Sequence, residues 1–554
     1  MLRHGIIFNT CCVFLAASFT IINPGPQFPP TKGEVWPRAN QEIKEDVYFK
    51  LLPSSFNMTV KGESCLILRH AVERYVNVLT NLLRITYTHS RNQYNGPNTD
   101  PKYRGLLQEL EIKLSTPCES YPYLNMDERY DLSVSTISTL TSDSIWGILR
   151  GLETFVQLFY TSEGYTDILI NATKIKDSPK YTHRGLLIDT SRHYLSVSTI
   201  LKTLDAMEIN KMNVLHWHIV DDQSFPYKSG KFPQLSTAAY DPTMVYTAEA
   251  ISLIVNYARD RGIRVLPEFD VPGYGNHVPS DVSNYNSILY TYPNILTKCY
   301  RFGSQIGLGP MDPTKNITYK LINDLFHEVQ NRFPDKYFHV GGDEVEMDCW
   351  RSNPEIAQFM TEHNMTSPHE LHSYFMSRVI PLLGDRSKPI VWQEVFDEGV
   401  SLPNGTIVQV WKNVEAREMI DILLGGHKVI YSASWYLDHV NGGGDWNKYY
   451  SADPREVVTR YRRDLNVDNI LGGEACMWGE VVDDTNIISR VWPRASAVAE
   501  ILWSGAPPLS NEYYFWGGPT YEVKCRLEEH VCRMNRRGIH AQPPNGPGFC
   551  ITGN

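Results

Sequence analysis

Beyond about residue 20 the chain has no run of eighteen or more apolar residues, which excludes a helical membrane span there. It also lacks a polybasic cluster. With 52 Lys and Arg against 62 Asp and Glu the net charge is −10, so neither nucleic acid nor an anionic lipid surface is an expected partner. Cysteine is sparse: ten in 554 residues, two of them (Cys11 and Cys12) near the start. Eight spread over the rest read as a few staples on a self-sufficient core, and their spacing alone assigns no pairing. What is present is ordinary globular material, 42% apolar and 21% charged, with length for two or three domains.

Residues 1–20 carry Arg3 and His4, then an apolar run from Gly5 to Phe19 with Ala16-Ala17-Ser18 as a small-residue cleavage site. This is the pattern of a secretory signal peptide. Glycosylation acceptors fit that route at Asn57, Asn171, Asn316, Asn364 and Asn404, each two residues before Thr. Residues 21–45, rich in Pro, Gly and polar side chains, read as a flexible lead-in. Residues 46–180 read as a smaller α/β domain, with strands at Glu109 to Leu114 and Tyr130 to Val134 and helices at Ser64 to Leu83 and Ser144 to Tyr160.

From 181 to 554 the pattern changes to strand, polar strand end, helix, repeated, before a helical extension. Eight strand candidates occur: Gly185 to Thr190, Val214 to Val220, Arg264 to Phe269, Tyr337 to Val340, Ile390 to Val395, Ile407 to Val410, Lys428 to Ser432 and Ile470 to Ala475. Eight is the number a (β/α)8 TIM barrel needs, and the fold class expected is α/β, such a barrel preceded by the smaller domain. Carboxylates and aromatics stand at the strand ends. In order they are Asp189 and Arg192; Asp221-Asp222; Glu268 and Asp270; Asp343-Glu344; Trp392 and Glu394; Trp411; Trp435-Tyr436 with Asp438; and Glu474 with Trp478 and Glu480. Acids that grip hydroxyls beside indoles that cover apolar ring faces suit a sugar.

The stretch HVGGDEVEMDCW, His339 to Trp350, is the sharpest signal. A glycine pair lets the backbone turn at the strand end, and two carboxylates follow. A retaining glycosidase with two catalytic carboxyls needs them about 5 Å apart across the bond, usually from different strands, so adjacent acids divide the work differently. One serves as general acid/base. The other orients a substrate group, and the nucleophile comes from elsewhere, the substrate included. His216 and His218 face one side of a strand and read as structural, since no third metal ligand is apparent.

The segments HRGLLIDTSRHYL, NVLHWHIVDDQSFP, HVGGDEVEMDCW, VWQEVFD and GGEACMWGEVVDDTN resemble those of the animal lysosomal β-N-acetylhexosaminidases, glycoside hydrolase family 20, from about residue 47 to the C-terminus. The resemblance implies an exo-acting enzyme that removes terminal β-linked GlcNAc or GalNAc from glycans. In that family the substrate's own 2-acetamido oxygen is the nucleophile. By matching motif, Glu344 is the acid/base, Asp343 holds the acetamido N–H, Tyr436 donates to the acetamido oxygen, and Asp221 supports the acid/base. Trp392, Trp411 and Trp478 wall the sugar; Arg192, Asp438 and Glu480 bind hydroxyls. No metal or other cofactor is implied. The family also implies bridges Cys65–Cys118, Cys299–Cys349 and Cys532–Cys550, leaving Cys476 and Cys525 free, a homodimer, and a lysosomal or secreted destination.

Two departures bear on activity. The family's Asp-x-Pro-Gly-His reads Asp270-Val271-Pro272-Gly273-Tyr274 here, and a Tyr hydroxyl cannot shuttle protons near neutrality as imidazole does. His277 is a substitute after a loop shift. The rival expectation is a catalytically impaired relative that binds N-acetylhexosamines. Second, Asp438-His439 stands where vertebrate paralogues carry either Asn-Arg, favouring 6-sulfated substrates, or an Asp-led pair, so neutral substrates are expected. The spaced acids of an endo-acting chitinase (Asp-x-x-Asp-x-Asp-x-x-Glu) are not in the sequence.

Overall fold

The computed structural model describes residues 28–29, 31–52, 54–89, 100–162, 166–273, 295–412, 416–439, 444–506, 519–548 and 550. The expected signal segment, Tyr274 and His277 lie outside the described residues.

The N-terminal unit is one eight-stranded mixed sheet. Along Glu109–Leu114 the polar residues alternate with buried Leu110, Ile112 and Leu114, the period that gives a strand one apolar face. Helices Leu66–His89 and Ile145–Gln157 contribute to the same apolar core. Ser144 caps the second helix by accepting from the Trp146 amide, which fixes where it starts.

The flexible lead-in expected over 21–45 does not hold from Thr31 onward. Trp36 is fully buried, with its indole N–H donating to the Ser496 carbonyl at 2.9 Å. The first sheet strand begins at Gln41. Local composition suggested a tether, but a tryptophan buried against the barrel domain outweighs local propensity.

His183–Asp189, Val214–Val220, Arg264–Phe269, Tyr337–His339, Lys388–Trp392, Ile407–Val410, Lys428–Tyr431 and Ile470–Met477 form the closed barrel, in chain order, with the eighth strand pairing back to the first. All pairs are parallel. The first three strands are buried along their whole length, because side chains facing inward fill the barrel and those facing outward meet helices. One expected strand is shorter than its sequence suggested. The run from Ile390 ends at Trp392 and becomes helix Gln393–Asp397, because the Gln393 side chain accepts the Trp411 and Lys412 amides and draws the chain across the rim.

Between strands three and four a hairpin, Leu296–Arg301 with Ser304–Met311, is tied by Cys299–Cys349 to the short helix Met347–Ser352 that follows the paired acids. Disulfides also join Cys65 to Cys118 and Cys532 to Cys550, while Cys476 and Cys525 are buried free thiols. The C-terminal helix Tyr521–Arg536 is held to the barrel domain by Arg526, which donates to Glu500 at 2.6 Å.

Candidate active site

All eight strands end on one rim, so the sequence-marked acids and aromatics converge there. After the fourth strand the backbone turns through Gly341 and Gly342, at φ +68° and +96°. A Cβ on Gly341 would lie 1.7 Å from the Asp270 carboxylate, and one on Gly342 2.4 Å from Val395. Glycine is required for both the turn and the close approach. The Gly342 amide donates to Asp270 at 2.8 Å, which locks the turn to the third strand. Asp343 and Glu344 follow, half-buried, and Glu344 itself adopts a left-handed φ of +46°. Such a conformation in a non-glycine residue is stored strain of the kind that gathers at working sites.

Carboxylates crowd Asp343. Burial, then Asp270, Glu394 and Glu268, hold its carboxyl well above the ordinary range. Burial, Glu268 and Asp221 do the same to Asp270. Like charges gathered this closely oppose one another's ionisation, and burial adds to the effect. Lys412 lies beside them, 2.5 Å from Glu394, and feels both Glu344 and Asp343.

Across the rim, Trp392, Trp411, Tyr436 and Trp478 form an aromatic box. Trp411 stacks on Tyr436 with ring centroids 5.8 Å apart, Trp478 stands 6.5 Å from Tyr436, and Trp392 lies 6.1 Å from Trp478. Trp392 is 1% exposed and is the floor, with its N–H given to Glu268 at 2.8 Å. Trp411 gives its N–H to Glu394 at 3.0 Å. Fixed indoles of this kind offer apolar faces at little entropic cost.

Arg192 occupies the other flank. It contacts Asp189 at 3.0 Å and Asp221 at 2.8 Å, and its guanidinium sits 5.2 Å from the Trp478 ring centre. Asp221 is therefore fixed by Arg192 and, at 2.8 Å, by His218. Glu480 and Asp438 sit toward this side, both raised from the usual carboxylate value by burial. Among the described residues Asp438 Oδ1 is buried with no hydrogen-bond partner, an acceptor left for something else.

Beneath the rim lies a ladder of buried histidines and carboxylates. His183 and His216 hold Glu474 from both sides at 2.6 and 2.8 Å; His216 and His218 reach Glu268 at 3.0 and 2.7 Å; His218 then reaches Asp221. His339 adds a contact to Glu268 at 3.1 Å. The expectation that His216 and His218 have no third ligand-type neighbour is thus corrected, because Glu268 and His339 converge on His216. The signal was the inward alternation His216, His218 on one strand facing Glu268 on the next, in register with His339. Burial opposes charge on His216, but Glu474 and Glu268 outweigh it and raise the group to about 9. His339 and His183 are lowered, chiefly by burial. His218 Nδ1 is hydrogen-bonded to Glu268 at 2.7 Å, Trp392 donates to the same carboxylate, and His339 Nδ1 accepts from the Gly341 amide at 3.1 Å, so a metal would have to displace these bonds.

Residues 181–506 match the model of "Glycosyl hydrolase family 20, catalytic domain", and residues 35–158 that of "beta-acetyl hexosaminidase like". The chain belongs to glycosyl hydrolase family 20. Beta-hexosaminidase subunit beta of Mus musculus is 42% identical over 532 residues, covering 94% of this chain and 92% of that protein. The mouse subunit alpha is 40% identical over 533 residues, covering 93% and 94%. Among solved structures, a Flavobacterium johnsoniae chitobiase superposes with a TM-score of 0.75 at 31% identity, covering 92% of this chain and 73% of that one. For this family 20 member the second matched region begins at Val35, in agreement with the ordered segment that packs on the barrel.

Proposed function

We propose that the protein is an exo-acting β-N-acetylhexosaminidase that removes terminal β-linked GlcNAc or GalNAc by substrate-assisted, retaining hydrolysis. The observation that carries this reading is the pair of adjacent acids beside an aromatic box, with no opposed carboxylate nucleophile needed. Glu344 gives its proton to the leaving glycosidic oxygen as the C1–O bond breaks. The substrate's acetamido oxygen supplies the electron pair to C1, and an oxazolinium ring forms. Asp343 accepts the acetamido N–H and offsets the positive charge that develops there, while Tyr436 donates to the acetamido oxygen. Water then adds at C1, returning its proton to Glu344, and the ring opens. Holding the nucleophile inside the substrate makes the attack unimolecular, an advantage of about 7 kcal/mol or more when alignment is good.

Trp392, Trp411 and Trp478 enclose the acetamido methyl and the sugar ring. Arg192, Asp438 and Glu480 bind hydroxyls, and Asp221, set by His218, supports the acid/base. The sugar-binding alternative is the weaker one: paired acids in a strained turn and carboxylates crowded against one another are costs without a use in a lectin.

The test is a series of 4-nitrophenyl glucosaminides whose acetamido group is progressively fluorinated. Rates should fall steeply as the oxygen loses nucleophilicity, and a flat series would remove the internal nucleophile from the mechanism. Asp438 also favours neutral over 6-sulfated substrates by repulsion of the sulfate. A higher rate on the 6-sulfated than on the plain aryl glucosaminide would contradict that assignment.

The chain is made as a secretory glycoprotein for a lysosomal or secreted destination and assembles as a homodimer. The acceptors Asn57, Asn316, Asn364 and Asn404 are exposed, which suits glycan attachment. Asn171 is half-buried, accepting from Tyr160 at 2.6 Å and donating to the Glu45 carbonyl at 2.9 Å.

A further inference from the structure

At the end of the barrel opposite the catalytic rim, the C-terminal turns of helices Val197–Ile209 and Ala248–Arg259 meet the N-terminal domain and the C-terminal helix Tyr521–Arg536. A cavity of about 310 Å³ opens between them, lined by Arg74, Arg261, Arg533, Arg536 and Arg537. Four of these guanidiniums have an acid each. Arg74 donates to Glu208 at 2.6 Å, Arg261 contacts Asp205 at 2.7 Å, Arg537 donates to Glu153 at 2.8 Å, and Arg533 contacts Glu529 at 3.0 Å. Arg536 is the fifth, and among the described residues it has no ion pair.

Unused donors point the same way. Arg533 is 6% exposed; its Nη2 is taken by Glu529 and the Glu34 carbonyl, yet its Nε and Nη1 are buried with no hydrogen-bond partner among the described residues. The Nε of Arg536 is buried and unpartnered as well. Buried guanidinium N–H groups are almost always satisfied, and unused donors on two guanidiniums that line one cavity suit an oxyanion that accepts from both. Burial, then the nearby Arg533, pull Arg536 down to about 10, against a smaller opposing pull from Glu529.

We propose that this cavity binds a tetrahedral oxyanion, phosphate or sulfate, either free or as the monoester of a small polar molecule. One guanidinium without an ion pair calls for one negative charge, which either oxyanion supplies. The volume equals that of about ten waters, more than a lone oxyanion fills. Asn77 and Asn81 line the remaining space with amide groups that suit hydroxyls, while Val78 and Val156 supply apolar wall.

The test is thermal unfolding of the full-length protein in sodium sulfate or phosphate against sodium chloride at equal ionic strength, then in glucose 6-phosphate against glucose. Wild type should show a saturable rise in Tm with the oxyanions and none with chloride or glucose. Arg536→Gln should weaken half-saturation about tenfold or more, with hydrolysis of a neutral aryl glucosaminide unchanged. Arg536→Lys keeps the charge without the fork and should weaken binding less; it serves if the glutamine variant fails to fold. Tighter saturation by glucose 6-phosphate identifies an ester as occupant, and equal saturation identifies the free anion. A response in wild type that does not saturate, or the same saturable response in both Arg536 variants, would overturn the proposal.

Discussion

Asp343 illustrates how one residue takes its properties from its neighbours. On an exposed turn it would be an ordinary ionised carboxylate. Here burial, Asp270 and Glu394 raise it, and it responds to positive charge that develops nearby, as on an acetamido group closing onto C1, which stabilises its carboxylate form. Asp343→Asn removes that response while keeping size. It should lower kcat by about 10²–10³, the scale set by loss of one charge-stabilising group in a transition state, with KM moving only a few-fold. A raised KM with kcat intact would mean Asp343 merely binds substrate. At this scale the sequence was readable where chemistry is local: Gly341-Gly342 announced a turn. It was silent on why both are glycine, since the obstacle at Gly341 is the Asp270 carboxylate, 71 positions upstream.

At the scale of elements, the barrel strands do two jobs. Their ends carry the site, and their inward faces carry the ladder from His183 through Glu474, His216, Glu268 and His218 to Asp221. Glu268 is its hinge, contacted by three histidines and Trp392. Burial would raise its carboxyl, but His339, His218 and His216 hold it well below the ordinary range. Glu268→Gln leaves the raised imidazoliums short of a buried counter-charge, a loss of about 3–5 kcal/mol. Urea unfolding should show that loss in stability, and with the floor Trp392 and Asp221 released, kcat should fall too. Unchanged stability would show the ladder to be weakly coupled. Strand positions were legible from apolar runs and their spacing. Which of the inward polar residues pair was not, because pairing depends on register between strands that the sequence does not display.

Across the whole molecule, the expected architecture of a smaller α/β domain before a barrel is the one observed, and residues 31–45 are where local composition misled, since Trp36 is ordered by a contact 460 positions away. The buried ladder also gives the molecule a pH range. His216 is raised from 6.5 to about 9, so its stabilising contribution is complete below about 6.5 and is lost as pH rises through 9. Glu474 is held far below 4.5: burial opposes this, but His216 and His183 prevail, so its contribution is present above 4.5 and lost as pH falls below. Thermal unfolding against pH should therefore peak at mildly acidic values and decline toward 9, the profile of a protein suited to an acidic compartment; a maximum on the alkaline side would contradict the charge assignment of His216. The claim on which all else rests is that Glu344 is the acid of a working hydrolase. Hydrolysis of 4-nitrophenyl N-acetyl-β-glucosaminide by wild type and Glu344→Gln, across the acidic to neutral range, tests it most directly. Turnover by wild type that the variant loses is the expected result. Wild-type protein that binds N-acetylglucosamine without turning over the substrate, or a variant as active as wild type, would contradict it.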